Sequence, residues 1–207
     1  MKYEEAIKIG RAFETLLEDV CEHITLVGSL RRKNKEVKDI EFVIVPKVVD
    51  IQIDLFTTAP QSEVYSRIAR LLEGGIVQLR KDNRGAKFIA TNKPQSKFVA
   101  LTYEGLGVDL FIANQRNRQW QIVLRTGPRE ANMLLMTDLR PNEAMISDGS
   151  IYIGGLRSMF EAKPQEVVFE SERAVFAFFG LPYILPENRS PETYLEEHNK
   201  IKMETTQ

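Results

Sequence analysis

Apolar residues recur at helical spacing over residues 3–22, at Ala6, Ile9, Ala12, Phe13, Leu16, Leu17 and Val20. Glu4 and Glu5 fall in the first turn, where the helix dipole favours acid. The pattern then shortens to strand-like runs. Residues 24–27 form a strand ending at Gly28, residues 29–36 a polar, basic short helix plus loop, and residues 38–46 a strand closed by Pro46. Residues 48–56 read as a further strand. Residues 61–73 read as a helix with Val64, Ile68, Leu71 and Leu72 on one face, ended by Gly74-Gly75. Strands are expected near 76–80, 86–91, 97–103 and 107–113. After Asn114 the composition shifts to helices over 115–124 and 129–139 around Thr126-Gly127-Pro128, a turn-rich stretch over 142–155, and a helix over 164–180. The polar run after Pro191 is expected to fray. Helices and strands in this order predict an α+β chain with a mixed or antiparallel sheet.

Composition narrows the functional classes. With 43% hydrophobic and 28% charged residues, the 207-residue chain does not have the signature of bulk disorder. No apolar run approaches the length of a membrane span, and the N-terminus lacks the apolar block of a signal peptide. Cys21 is the single cysteine, so no internal disulfide forms; a reducing, cytoplasmic setting is the expectation. One cysteine and two histidines also fall short of a usual zinc site. We read Cys21 as a small core residue, His23 and His198 as structural or exposed, and Trp120 as a core or subdomain-interface anchor.

The net charge of −1 excludes a wholesale polycation. Its distribution is uneven: residues 28–47 sum to +3 and residues 76–100 to +5. Such segments can line a groove that tracks a phosphate backbone. The plainer reading of any single segment is a solvated strand edge, where lysine blocks edge-to-edge pairing.

Chemistry concentrates at three carboxylates. Asp39 and Glu41 stand two apart on a predicted strand, so both point to one face while Ile40, Phe42 and Ile44 enter the core. Asp109 sits in a second strand with apolar neighbours on its opposite face. Three carboxylates on adjacent strands repel one another unless divalent cations lie between them, and that array suits two Mg²⁺ ions and an in-line phosphoryl displacement. Upstream lies Gly28-Ser29 at a strand-to-helix junction, where glycine permits close backbone approach and the hydroxyl can meet a phosphate. Arg31 and Arg32 follow and can clamp triphosphate oxygens. Phosphate donors and metal carboxylates at this spacing point to nucleotidyl transfer.

Val27-Gly-Ser-Leu-Arg-Arg32 followed by Lys38-Asp-Ile-Glu-Phe-Val-Ile-Val45 resembles the signature of polymerase beta-like nucleotidyltransferases. Gly85-Ala-Lys-Phe88, Val108-Asp-Leu-Phe111, Thr126-Gly-Pro128 with Asn132, and Leu181-Pro-Tyr-Ile-Leu-Pro-Glu-Asn-Arg189 are similar to segments of family X DNA polymerases, in order over about residues 1–190. The chain is most similar to the compact form of that family. The resemblance implies a nucleotidyltransferase palm with a mixed sheet over 1–114, a smaller α+β subdomain over 115–190 that binds nucleotide and template, and a polar tail over 191–207. It implies that Asp39 and Glu41 bind both metals and that Asp109 binds the catalytic one. Gly28, Ser29 and Arg32 would hold the triphosphate, and Thr126, Gly127 and Asn132 would line the sugar and base pocket. Lys87 lies where the family faces nucleic acid, and Lys81 and Arg84 share its basic segment. The implied cofactors are two Mg²⁺ ions, with Mn²⁺ as substitute. The implied partners are a (d)NTP and gapped or primed DNA, bound by a monomer.

The chain departs from that family at several positions. Glu41 stands where family X has Asp, Lys38 where many members have Gly, Leu124-Arg125 where an aromatic pair is usual, and Gly107 where an Arg is often found. Two other readings compete with a DNA polymerase. One is a template-independent or non-DNA nucleotidyltransferase acting on RNA, protein or a small molecule. The other is an inactive nucleic-acid-binding module, which the intact carboxylate set opposes.

Overall fold

The computed structural model describes residues 1–52, 54, 57–80, 98–154 and 163–205. The chain divides into two compact units, Met1–Asn114 and Gln115–Gln207.

The first unit opens with α1 (Tyr3–Leu17), a single 3-10 turn (Glu18–Val20) and β1 (Cys21–Val27). A one-turn helix α2 (Gly28–Arg31) leads to β2 (Asp39–Pro46). The hairpin β3 (Val48–Gln52) and β4 (Thr58–Ser62) follows, then α3 (Glu63–Glu73), the short β5 (Gln78–Leu79), β6 (Phe98–Tyr103) and β7 (Leu106–Ile112). The sheet order is β1-β2-β7-β6-β5, while β3 and β4 pair only with each other. Strand β2 runs parallel to β7 and antiparallel to β1, so the sheet is mixed. The expected strand over 48–56 is therefore half of a hairpin, and its partner takes the first residues of the expected helix over 61–73. The strand expected near 86–91 lies outside the described residues.

Alternation along the strands gives the sheet two different faces. Ile40, Phe42 and Ile44 of β2 and Val108 and Leu110 of β7 pack under Phe13 and Leu17 of α1 and Val64 and Ile68 of α3. Phe13 stacks on Phe42 at 5.8 Å between ring centroids. Burying each such side chain contributes about 1.5–3 kcal/mol, so this face fixes the sheet against both helices. The opposite face carries Asp39 and Glu41 on β2 and Asp109 on β7. Cys21 opens β1 rather than ending the first helix. Its thiol is buried and its pKa is pushed up to about 12 by that burial, as for an inert core residue.

The second unit contains α4 (Arg118–Thr126), α5 (Arg129–Met136), β8 (Ala144–Ser147), β9 (Ser150–Ile153), β10 (Gln165–Glu166), α6 (Glu172–Phe178) and α7 (Pro191–Thr205). Its core gathers Trp120, Leu135, Ile151, Phe176, Phe179 and Tyr194. Trp120 packs on Phe179 with ring centroids 5.5 Å apart, the core role expected of it.

Two expectations fail here. The helix expected over 164–180 covers only α6, because Gln165 and Glu166 pair with β9 and Ser171 caps a later start by accepting the Ala174 N–H at 3.2 Å. The expected polar tail is instead helix α7. Ser190 Oγ accepts the Thr193 N–H at 3.2 Å, Pro191 suits the first helical position, and Tyr194 is fully buried against Phe176. Just before it, the buried Arg189 pairs with Glu172 at 2.7 Å, donates to the Ile184 carbonyl and lies over the Phe176 ring. The Leu181–Arg189 run is thus a structural clasp within its unit. No described helix is long and apolar enough to cross a membrane.

Candidate active site

The polar face of the first unit is set by register. In the β2–β7 pair, Asp39 lies opposite Gly107 and Glu41 opposite Asp109. Residues directly opposite share a face, so all three carboxylates stand on the side away from the helices. The position of Asp109 follows from the β6–β7 hairpin. Its two-residue turn, Glu104-Gly105, has positive φ at both positions (47° and 78°), which Gly105 adopts freely. That turn fixes Tyr103 opposite Leu106 and hence Ala100 opposite Asp109.

Glu41 is also opposite Val27, the last residue of β1. The next residue, Gly28, turns the chain into α2 with φ +66°. A Cβ there would overlap the Glu41 carboxylate and lie 3.2 Å from the Glu41 Cβ. Gly28 is therefore required twice, for its dihedral and for the space taken by the longer side chain of Glu41. Ser29 Oγ beside it is buried and makes no hydrogen bond within the described residues. Arg32 closes α2, its N–H donating to the Gly28 carbonyl at 3.2 Å. Gly28, Ser29 and Glu41 are thus brought together at one end of β1 and β2.

One residue the sequence reading left out stands in the middle of this face. The Arg80 N–H donates to the Ala100 carbonyl at 3.1 Å, which carries the β5–β6 ladder one residue further. Arg80 thereby falls on the Asp109 side of the sheet, and its side chain crosses the small Ala100 to pair Nη2 with Asp109 Oδ1. Nη1 lies against the Gly107 α-carbon, where a Cβ on that residue would collide with it and would also come within 3.7 Å of the Asp39 Cβ. The signal in the sequence was paired: a glycine at 107 where the resembling family often carries arginine, and an arginine at the end of the expected strand over 76–80. Asp109 is mostly buried, and that burial raises its pKa. Arg80 opposes the shift, the charge of Asp39 adds to it, and the net direction is upward. Among the described residues, no three His, Cys, Asp or Glu side chains converge in an arrangement ready to hold a metal ion.

Lys81, Arg84 and Lys87 lie outside the described residues. Thr126, Gly127 and Asn132 belong to the second unit, where they form one local turn. Thr126 is fully buried at the end of α4, and the Asn132 amide donates back to the Leu124 and Gly127 carbonyls. The Asn132 Oδ1 is buried without a partner and faces the Gly127 α-carbon.

Neither a protein-family model nor a curated protein matches the chain in sequence. Solved structures do match it in fold. The crystal structure of Leishmania infantum polymerase beta, a ternary P/T complex, superposes with a TM-score of 0.63 over 92% of this chain and 77% of that chain, at 16% identity. The chain has a polymerase beta-like fold.

Two predictions follow from the packing of the carboxylates. Gly28→Ala is expected to destabilise the protein by about 3 kcal/mol, of which about 1–2 kcal/mol persists in a Glu41→Asp background as the left-handed backbone cost alone. Urea denaturation of the four proteins of this cycle measures the coupling, and strictly additive effects would separate Gly28 from Glu41. The second concerns pH. A carboxyl whose pKa is raised by folding holds its proton more tightly when folded, so ionising Asp109 costs stability. The cost is absent below the unfolded value, grows as pH rises towards the folded value, and is complete above it. In the presence of a chelator, Asp109→Asn is therefore more stable than wild type at neutral pH, with a gap that closes as the pH falls into the ordinary carboxylate range. Paired melting curves across that range check it; an Asn variant less stable at neutral pH contradicts it.

Proposed function

We propose that the chain is a divalent-cation-dependent nucleotidyltransferase, a compact family X-type DNA polymerase that adds a deoxynucleoside monophosphate to a primer 3′-hydroxyl. The observation that carries this reading is the register: Glu41 opposite Asp109, Asp39 two residues before on the same face, and the Gly28-Ser29 turn against Glu41. The polymerase beta-like fold supports it.

The donor chemistry suits Mg²⁺, which would have to draw together carboxylates that the metal-free chain does not hold converged. All three groups are hard carboxylate oxygens on adjacent strands, and Arg80 already stands among them as a positive charge. Asp39 and Glu41 would hold both ions and Asp109 the one nearer the hydroxyl. When bound, the ions supply charge neutralisation to the attacking oxygen and to the departing pyrophosphate. The protein does the rest. Ser29 Oγ and the backbone opened by Gly28 bind triphosphate oxygens, and Arg32 adds charge that strengthens as the leaving group develops. The primer oxygen forms its bond to the α-phosphorus as the bond to the β-phosphate bridge breaks, and the hydroxyl proton passes to Asp109 or to water. The resemblance assigns the sugar and base pocket to Thr126, Gly127 and Asn132; Thr126 is fully buried, so its part would be to shape the turn that presents the other two. Lys81, Arg84 and Lys87 track the phosphate backbone of gapped or primed DNA.

Primer extension by Asp39→Ala, Glu41→Ala and Asp109→Ala is expected to fall by about a thousandfold or more while the fold survives, because each change removes charge stabilisation from the transition state. Near-normal turnover by any one removes that residue from the site. The acceptor is tested separately by DNA affinity across a salt series. Neutralising Lys87 with Arg84 should reduce the salt slope by about one unit per lost phosphate contact. Wild-type protein that binds neither gapped nor primed duplex at low salt would move the reading to a nucleotidyltransferase with a different acceptor.

A further inference from the structure

Arg80 poses a problem that the proposed reaction does not use. Its guanidinium is bonded to Asp109 and lies over Gly107, the residue paired with Asp39, so it stands on the carboxylate face and occupies an oxygen of Asp109. Two small neighbours and the local ladder allow this. Gly107 has no side chain where Nη1 sits, Ala100 is small enough for the arm to pass, and the β5–β6 ladder starts the arm on the correct face. A divalent cation held by Asp109 would compete with Arg80 for that carboxylate.

We propose that Arg80 is a positioning residue that serves as resident counter-ion of the carboxylate face, which a divalent cation must displace in order to bind. The inference rests on the metal-dependent reading above. A guanidinium cannot shed its charge by deprotonation, so it yields to a metal only by moving. The Arg80 side chain is 35% exposed, whereas that of Asp109 is 13% exposed, so the partner free to leave is the arginine. In the metal-free protein the contact offsets the repulsion between Asp39 and the buried Asp109. The same contact holds Asp109 in place for its ligand. Divalent affinity is then reduced by the fraction of molecules whose carboxylates are open. This chain thus sets the cation concentration at which its site fills through a residue on β6's neighbouring strand end, not through the ligands themselves.

The test uses the full chain without nucleotide and reads free Mn²⁺ by electron paramagnetic resonance. Arg80→Ala removes the arm, Arg80→Gln keeps its length without the charge, and Arg70→Ala removes one exposed positive charge from α3 as a control for net charge. Both Arg80 variants are expected to bind Mn²⁺ about tenfold more tightly than wild type and to melt at a lower temperature in chelator, while Arg70→Ala leaves both readings unchanged. Wild-type protein that binds Mn²⁺ with both Arg80 variants binding no more tightly would overturn the counter-ion role and leave the metal-dependent reading standing. An equal gain in Arg70→Ala would reduce the effect to net charge and overturn the role as well. Absence of Mn²⁺ binding in wild type and in both variants would overturn the role and the metal-dependent reading together.

Discussion

Three carboxylates on one face of a sheet repel one another, and a positive charge or a bound proton among them relieves that repulsion. Much of the first unit is arranged around that constraint. The apolar face of β2 and β7 is clamped under α1 and α3, and so the polar face inherits a fixed spacing between Glu41 and Asp109. Among the described residues, Arg80 brings a positive charge directly onto Asp109. Its contact depends on residues chosen for lack of bulk: Gly107 beneath it and Ala100 beside it. At the other end of the row, Gly28 makes room for a glutamate longer than the aspartate of the resembling family. Small residues thus flank both sides of the charged cluster, and a methyl group added at either glycine would collide with a charged side chain.

Glu41 and Gly107, two of the positions where the chain departs from the family it resembles, belong to one logic. Glutamate at position 41 reaches further from β2 and is accommodated by the turn at Gly28. Glycine at position 107 leaves room on β7 for an arginine from the end of β5. Both bear on how the carboxylates are held. The proposed chemistry asks the same of either arrangement: hard oxygen donors at fixed spacing, beside a turn that can receive a triphosphate.

The carboxylate face was legible in the sequence because strand alternation is a local property. Asp39 and Glu41 alternate with Ile40 and Phe42, and no distant information is needed to place them together. The mixed sheet was also anticipated, but the parallel pairing of β2 with β7 depends on contacts between residues about seventy apart. Arg80 was hidden for the same reason. It sits in a basic segment whose charges look alike, and its distinction comes only from a ladder that aims it across Ala100. Helix α7 escaped notice because its apolar pattern is weak; a single tyrosine, Tyr194, carries most of its anchoring. The hairpin β3–β4 has every residue of its first strand exposed, so no alternation marked where that strand would turn.

The central claim is that Asp39, Glu41 and Asp109 form a divalent-cation site from which Arg80 is displaced. Crystals of the protein grown with Mn²⁺ and a non-hydrolysable deoxynucleoside triphosphate test it through anomalous diffraction. The account predicts manganese peaks within coordination distance of all three carboxylates, with the triphosphate against Ser29 and the Arg80 guanidinium withdrawn from Asp109. Well-ordered nucleotide in crystals whose carboxylates carry no manganese, with Arg80 still paired to Asp109, would contradict it.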